Sequence, residues 1–310
     1  MRNAFVNILE DNIDERTMIL VGDLGFGVMD NIQDKFPNQF LNVGVAEQNM
    51  TGLATGLALT GYKVFTYSIA NFNTLRTLEQ IRNDIVYHDL NVIVVSVGGG
   101  LCYGALGISH HATEDIAILR SLPGLQVLTP GDPKETELIT TILLEEDHGP
   151  TYLRLGRAGE PIVHTEKTIQ RFQFKLPTQF QEGDGELAIL TMGGMFNTGV
   201  EVAKLLNNNK GIKASVYSFH CIKPMERSTI LDILNKYLKV VTIEEHTECG
   251  GFSSAILEQA IGSNYNLNNY MSFALPSVFT SVVGSQEYLL DHYGLSSIKI
   301  YKKIITFLRS

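Results

Sequence analysis

The sequence predicts two doubly wound α/β domains with mainly parallel sheets, and three observations carry that expectation. Its apolar runs of strand length are continuous rather than alternating, as in strands covered on both faces. These runs alternate with helical segments along most of the chain. The alternation lapses once, near the middle of 310 residues, a length that exceeds the usual single core.

In the first series the strands are TMILVGD (17–23), VFTYSI (64–69), NVIVVSVGGG (91–100) and LQVLTP (125–130), each rich in Val, Ile or Leu. Helices are predicted over 2–12, 46–60, 73–88, 112–121 and 132–145. The last opens at GDPKETE, where Asp132 can cap and Pro133 can take the first helical position. From Gly156 to Gly185 the pattern gives way to a polar stretch holding Pro161 and Pro177, too long to lack structure of its own. The second series is ELAILTMGG (186–194), a helix over 196–208, KASVYSFH (213–220), a helix over 226–237, KVVTIEEH (239–246) and a helix over 252–262. The expected division is residues 1–160, a linker over 161–185, and residues 186–310.

A net charge of −9 and a pI near 5.4 argue against a general nucleic-acid or anionic-membrane binder. The three cysteines, Cys102, Cys221 and Cys249, have no CxxC spacing, so neither a disulfide framework nor a zinc site is expected. No signal-peptide core or membrane-length apolar run is visible, which leaves the cytoplasm as the expected location.

Three segments carry chemistry. FLNVGVAEQNMTGLATGLAL (40–59) ends a short strand, presents Glu47, and continues into a helix of small residues. Gly52 and Gly56 are four apart, as are Ala54 and Ala58, which suggests a bare face suited to close packing against a partner. The ordinary alternative for Glu47 is a first-turn acid that complements the helix dipole. YSIANF (67–72) places Phe72 at the carboxyl lip of a strand, where ligands of open α/β sheets bind. GALGISHHATED (104–115) is a loop that carries His110 and His111 before a helix capped near Thr113. Adjacent histidines point apart, so a metal site there is disfavoured. GDLGFG (22–27) is a partial glycine fingerprint that also reads as a tight turn. The triplet Gly183-Asp184-Gly185 with Asn207 to Asn209 mimics a metal-diphosphate motif, but polar QFQEG precedes it and the strand follows, which inverts the required order.

Together these segments resemble the pyrimidine-binding half of transketolase-like thiamine-diphosphate enzymes. VGVAEQNMTGLATGLA is similar to the family's VGIAEQ-type motif and SHH to its THQ-type loop. GPTYLRLGR (149–157) and IEEHTECGGFSSAI (243–256) resemble the segment that closes this domain and the signature of the C-terminal domain. The resemblance covers nearly the whole chain but only the last two of the family's three domains. It implies that Glu47 hydrogen-bonds N1′ of the aminopyrimidine, so that the 4′-imino form can take the thiazolium C2 proton. It implies that Phe72 stacks on that ring, unless it is a core phenylalanine. Leu24 would prop the bent cofactor and Asp23 would line the same pocket. His110 would contact the substrate carbonyl or hydroxyl as proton donor and acceptor. Arg157 and Arg2 match arginines that grip substrate phosphate, with a surface ion pair as the alternative for each.

The resemblance further implies a partner chain, an N-terminal transketolase subunit carrying the GDG…N diphosphate domain and its magnesium, in an α2β2 assembly. The expected reaction is transfer of a two-carbon ketol unit between sugars. Departures concern the substrate: Leu106 stands where the family has a hydroxyl-reading aspartate, Gly98 where it has a phosphate-gripping histidine, and Gly27 where it has a serine. A modified or nucleotide-linked sugar is the expectation that follows. Two other readings stay open, the β subunit of a 2-oxo acid dehydrogenase or decarboxylase, and a non-catalytic module that kept the fold.

Overall fold

A computed structural model describes residues 1–309. The strands are β1 (Thr17–Val21), β2 (Phe40–Asn42), β3 (Lys63–Ile69), β4 (Val92–Val97), β5 (Gln126–Leu128), β6 (Thr151–Leu155), β7 (Thr178–Gln181), β8 (Leu187–Met192), β9 (Ser215–Phe219), β10 (Cys221–Lys223), β11 (Lys239–Thr247) and β12 (Tyr270–Leu275). The helices are α1 (Arg2–Asn12), α2 (Asp30–Lys35), α3 (Glu47–Leu59), α4 (Leu78–Gln80), α5 (Asp115–Arg120), α6 (Pro133–Glu145), α7 (Glu166–Ile169), α8 (Met195–Lys210), α9 (Arg227–Lys236), α10 (Phe252–Ala260), α11 (Gln286–His292) and α12 (Ser297–Phe307).

They form two sheets, as the continuous apolar runs predict. The first has the order β10-β5-β6-β4-β3-β1-β2 and is parallel except where β10 joins β5. The second has the order β12-β11-β8-β9-β7 and is parallel except where β7 joins β9. All six residues of β4 and of β8 are buried, which is why their sequences show no alternation. In the first sheet the chain goes one way from β1 to β2, then passes back beyond β1 to β3. That reversal leaves a crevice at the carboxyl ends of these strands.

Several elements differ from expectation. The helix predicted over 73–88 is a run of turns, then the single turn α4, then a π-helix over Ile81–Val86. Side chains compete with the backbone there: Thr74 and Thr77 donate to the carbonyls of Ala70 and Asn73, and Asn73 donates to Val95 O. The helix predicted over 112–121 is only α5, and Glu114, not Thr113, precedes it without a side-chain cap. The stretch expected as linker contains α7 and β7, the latter an edge strand of the second sheet. Strand β10, far along the chain, closes the edge of the first sheet. Gly183 to Gly185 turns between β7 and β8, where a Cβ on Gly183 would lie 2.0 Å from Lys213 O.

The small residues of α3 do not share one face. Gly52 and Gly56 lie open, with no atom within 4 Å of an added Cβ, whereas Ala54 is fully buried on the core side. A two-residue step rotates about 200° around a helix, so the two pairs diverge. Among the described residues, no helix is long and apolar enough to cross a membrane.

Candidate active site

Glu47 opens α3. The chain leaves β2, turns at Gly44 with φ of 76°, and directs the acid inward, where it is 1% exposed. Its Oε2 accepts from Arg76 Nη1 at 2.6 Å, and Ser68 Oγ at the end of β3 stands 3.5 Å from Oε1. Gly22, after β1, closes the other side, with its Cβ position 3.6 Å from the carboxylate. Resemblance alone supplied no cation for this buried acid; the fold supplies Arg76.

Phe72 follows β3. The Arg76 guanidinium lies 4.6 Å from its ring centre, and the His110 ring meets its edge at 5.1 Å. The histidine loop is two short 3-10 turns, Gly104–Leu106 and Ile108–His110, hinged at Gly107 with φ of 77°. Asn71 Nδ2 donates to Ser109 O at 2.7 Å and ties this loop to the strand lip. Burial, then the neighbouring His111, lowers the pKa of His110. His111 points the other way, 2% exposed, with Nε2 3.4 Å from Gly104 O.

Asp23 and Leu24 lie on the loop after β1. Asp23 has φ of 55° and exchanges two 3.1 Å hydrogen bonds with the Asn42 side chain. Leu24 is half-buried against the core. Arg2 and Arg157 are neighbours, since Arg2 N donates to Arg157 O at 3.1 Å. Arg157 holds its guanidinium 5.9 Å from the Tyr103 ring centre, and that ring lies 6.4 Å from the His110 ring.

The fold thus joins Glu47, Phe72 and His110 into one continuous cluster, with Asp23 and Leu24 on the loop next to Gly22 and the arginine pair beyond Tyr103. Sequence reasoning missed Arg76, Ser68 and Tyr103. Arg76 carried a faint signal, as a lone cation in the uncharged run NFNTLRTL. Nothing in the sequence marked Ser68 or Tyr103.

Comparison with known proteins matches both halves of the chain. Residues 1–159 match the model of the transketolase pyrimidine binding domain, and residues 178–300 match that of the transketolase C-terminal domain. One subunit of the apulose-4-phosphate transketolase of Phocaeicola vulgatus is 32% identical, over 98% of this chain and 92% of that protein. A transketolase C-terminal section of Methanocaldococcus jannaschii is 33% identical over 94% of this chain and 90% of its own length. A Bacillus cereus 1-deoxy-D-xylulose-5-phosphate synthase is 30% identical, and this chain spans 46% of it. Among solved structures, a split gene transketolase described as an inactive β4 tetramer superposes with a TM-score of 0.85 and 32% identity, covering 99% of this chain and 97% of its own. The chain belongs to the transketolase family.

Proposed function

We propose that this chain is the C-terminal subunit of a two-chain transketolase-type enzyme, which moves a two-carbon ketol unit from a ketose to an aldehyde with thiamine diphosphate. The observation that carries the reading is the buried Glu47 carboxylate, linked through Arg76 to the Phe72 ring and His110. An acceptor with so little solvent contact needs a donor partner. In this chain the donor is Arg76, which is 45% exposed and can leave without being buried itself. The residues therefore fit an aminopyrimidine, which brings an N–H or protonated ring nitrogen and a flat face.

Thiamine diphosphate, when bound, supplies the reactive carbon and the electron sink of the reaction. Glu47 fixes the protonation of the pyrimidine edge it faces. Phe72 offers its ring to the flat face. His110, adjoining Phe72, is suited to give and take a proton at the substrate oxygen. Asp23 and Leu24 border the pocket on the β1 side. Arg2 and Arg157 would hold an anionic group at the far end of the substrate.

The diphosphate and its magnesium fall to a partner, an N-terminal transketolase subunit with the GDG…N domain, in an α2β2 assembly. Relatives named as one subunit of a transketolase and as a split gene transketolase favour that arrangement. Leu106, Gly98 and Gly27 point to a modified or nucleotide-linked sugar.

The test mixes chain and partner with magnesium and thiamine diphosphate and follows cofactor circular dichroism and ketol transfer. Wild type should develop a cofactor signal and activity, and Glu47→Gln should lose activity by at least about a hundredfold. Absence of a cofactor signal in the assembled wild type would refute the reading. Turnover of xylulose 5-phosphate with ribose 5-phosphate at ordinary transketolase rates would refute the modified-sugar component alone.

A further inference from the structure

A cavity of about 520 Å³ lies on the seam between the two halves of the chain. Leu101, Ile108 and Ala117 of the first half line it, together with Leu275, Phe279 and Tyr293 of the second. None of Glu47, Phe72, His110 and Arg157 is in its walls. The Phe279 ring is 77% exposed, so an apolar occupant would give it cover that the chain itself does not.

Two polar side chains in the walls decide what such an occupant must carry. His111 lines the cavity and is itself 2% exposed. Its Nε2 lies 3.4 Å from Gly104 O, which can only accept, so the ring proton belongs on Nε2 and Nδ1 keeps a lone pair. That Nδ1 has no hydrogen-bond partner among the described residues. A buried acceptor left unpaired calls for a donor, and here the cavity is the remaining source of one. Glu114 is the other group, with Oε2 accepting from Thr113 Oγ1 at 3.0 Å. No lysine or arginine stands in the lining to balance it. A carboxylate without a cation, in apolar surroundings, turns away an anionic ligand.

We propose that this cavity binds a small uncharged aromatic alcohol, its rings against Ile108, Leu275 and Phe279 and its hydroxyl donating to His111 Nδ1. Mostly apolar walls with a few fixed polar groups, at this volume, are the usual make-up of a small-molecule site. Ile108 and His111 bracket His110 in sequence, so the occupant rests on the same loop that carries that residue.

The full chain alone tests binding, so the outcome is independent of the proposed ketol transfer. 2-Naphthol is the probe, followed by its own fluorescence in a chain without tryptophan. Naphthalene, which lacks the hydroxyl, and naphthalene-2-sulfonate, which carries a negative charge, are the controls. Cys249 lines the cavity and is exposed, whereas Cys102 and Cys221 are buried, so alkylation of Cys249 by iodoacetamide reports occupancy. Wild type should bind one 2-naphthol at least about tenfold more tightly than either control, and the probe should slow Cys249 alkylation. Ala117→Leu fills the cavity from α5, and Ser277→Phe fills it from an exposed position in the second half of the chain. Each should weaken 2-naphthol binding at least about tenfold. His111→Phe should bind 2-naphthol and naphthalene within about twofold of each other. Sulfonate bound as tightly as 2-naphthol, an unprotected Cys249, or undiminished binding by both folded filling variants overturns the proposal. Loss of 2-naphthol binding once the partner chain is added also overturns it, because a protein side chain is then the occupant.

Discussion

Glu135 is the residue whose replacement most directly tests how the two sheets are held together. It lies on α6, fully buried, and its Oε2 accepts from Gly131 N at 2.7 Å and from Ser218 Oγ of β9 at 2.9 Å. Its Oε1 accepts from His164 Nε2 at 3.0 Å, and His220 Nδ1 faces it at 3.6 Å. One carboxylate therefore joins the first sheet's helix layer, the connecting segment and the second sheet. Glu135→Gln preserves volume but presents N–H donors to donors and removes the charge. Breaking a buried pair from one side costs about 3–5 kcal/mol. At roughly 2–4 °C per kcal/mol for a domain of 150–250 residues, the first melting transition should fall by about 6–20 °C. Burial opposes ionisation of Glu135, but hydrogen bonds from His164 and His220 and their charge outweigh it and hold the carboxyl well below the ordinary range. A depressed pKa stabilises the fold above the unfolded value and loses that contribution as pH falls. The gap between wild type and variant should be full above about pH 5 and narrow as pH drops below the ordinary 4.5. Melts followed by circular dichroism across pH 3 to 7, at roughly half-unit steps, measure both effects. A variant that melts within about 1 °C of wild type at pH 7 would refute the reasoning.

Gly199→Ala places a Cβ 2.3 Å from Thr191 Cγ2, where α8 crosses β8. Urea unfolding should show a loss of about 1–3 kcal/mol despite the better helix former. A Cβ on Gly56 would meet no atom within 4 Å, so Gly56→Leu should leave the isolated chain melting no lower than wild type. The same variant should elute from gel filtration without its partner if the open glycine face of α3 forms the contact. Leu106→Asp alters a side chain that is 55% exposed, so stability should change by no more than about 0.5 kcal/mol. In the assembled enzyme kcat/KM for xylulose 5-phosphate should rise about tenfold, and an unchanged value would mean that Leu106 does not set sugar choice.

The strands were legible where both faces are covered, because burial then writes an unbroken apolar run. VIVVSV in β4 and LAILTM in β8 are of that kind. Strand β7, with the sequence TQFQ, and the three-residue β10 have no such run. Each is an edge strand that exists because a neighbouring strand offers a ladder, so nothing local announces it. The α12 helix is a different omission. Ile300, Ile304 and Phe307 repeat at helical spacing and form its buried face, a pattern that the sequence carries beyond the last predicted helix, over 252–262.

At the site, legibility followed chain position. Glu47 and Phe72 follow strand ends and His110 lies on the loop after β4, so a reading of strands finds their neighbourhood. Arg76 and Tyr103 act through space, and their partners depend on which loop folds over which. Gly98 shows the consequence. Compared position by position with the family, it is a missing histidine. In the fold its φ is 83°, and a Cβ there would lie 2.1 Å from the Tyr103 ring. The tyrosine stands in the space that a side chain at 98 would need, between His110 and Arg157. Gly98 and Tyr103 therefore form a single rearrangement of the proposed substrate wall. Glu47 and Phe72 are held by Arg76 and not by this tyrosine, so under the proposed function cofactor contacts and sugar choice would vary separately.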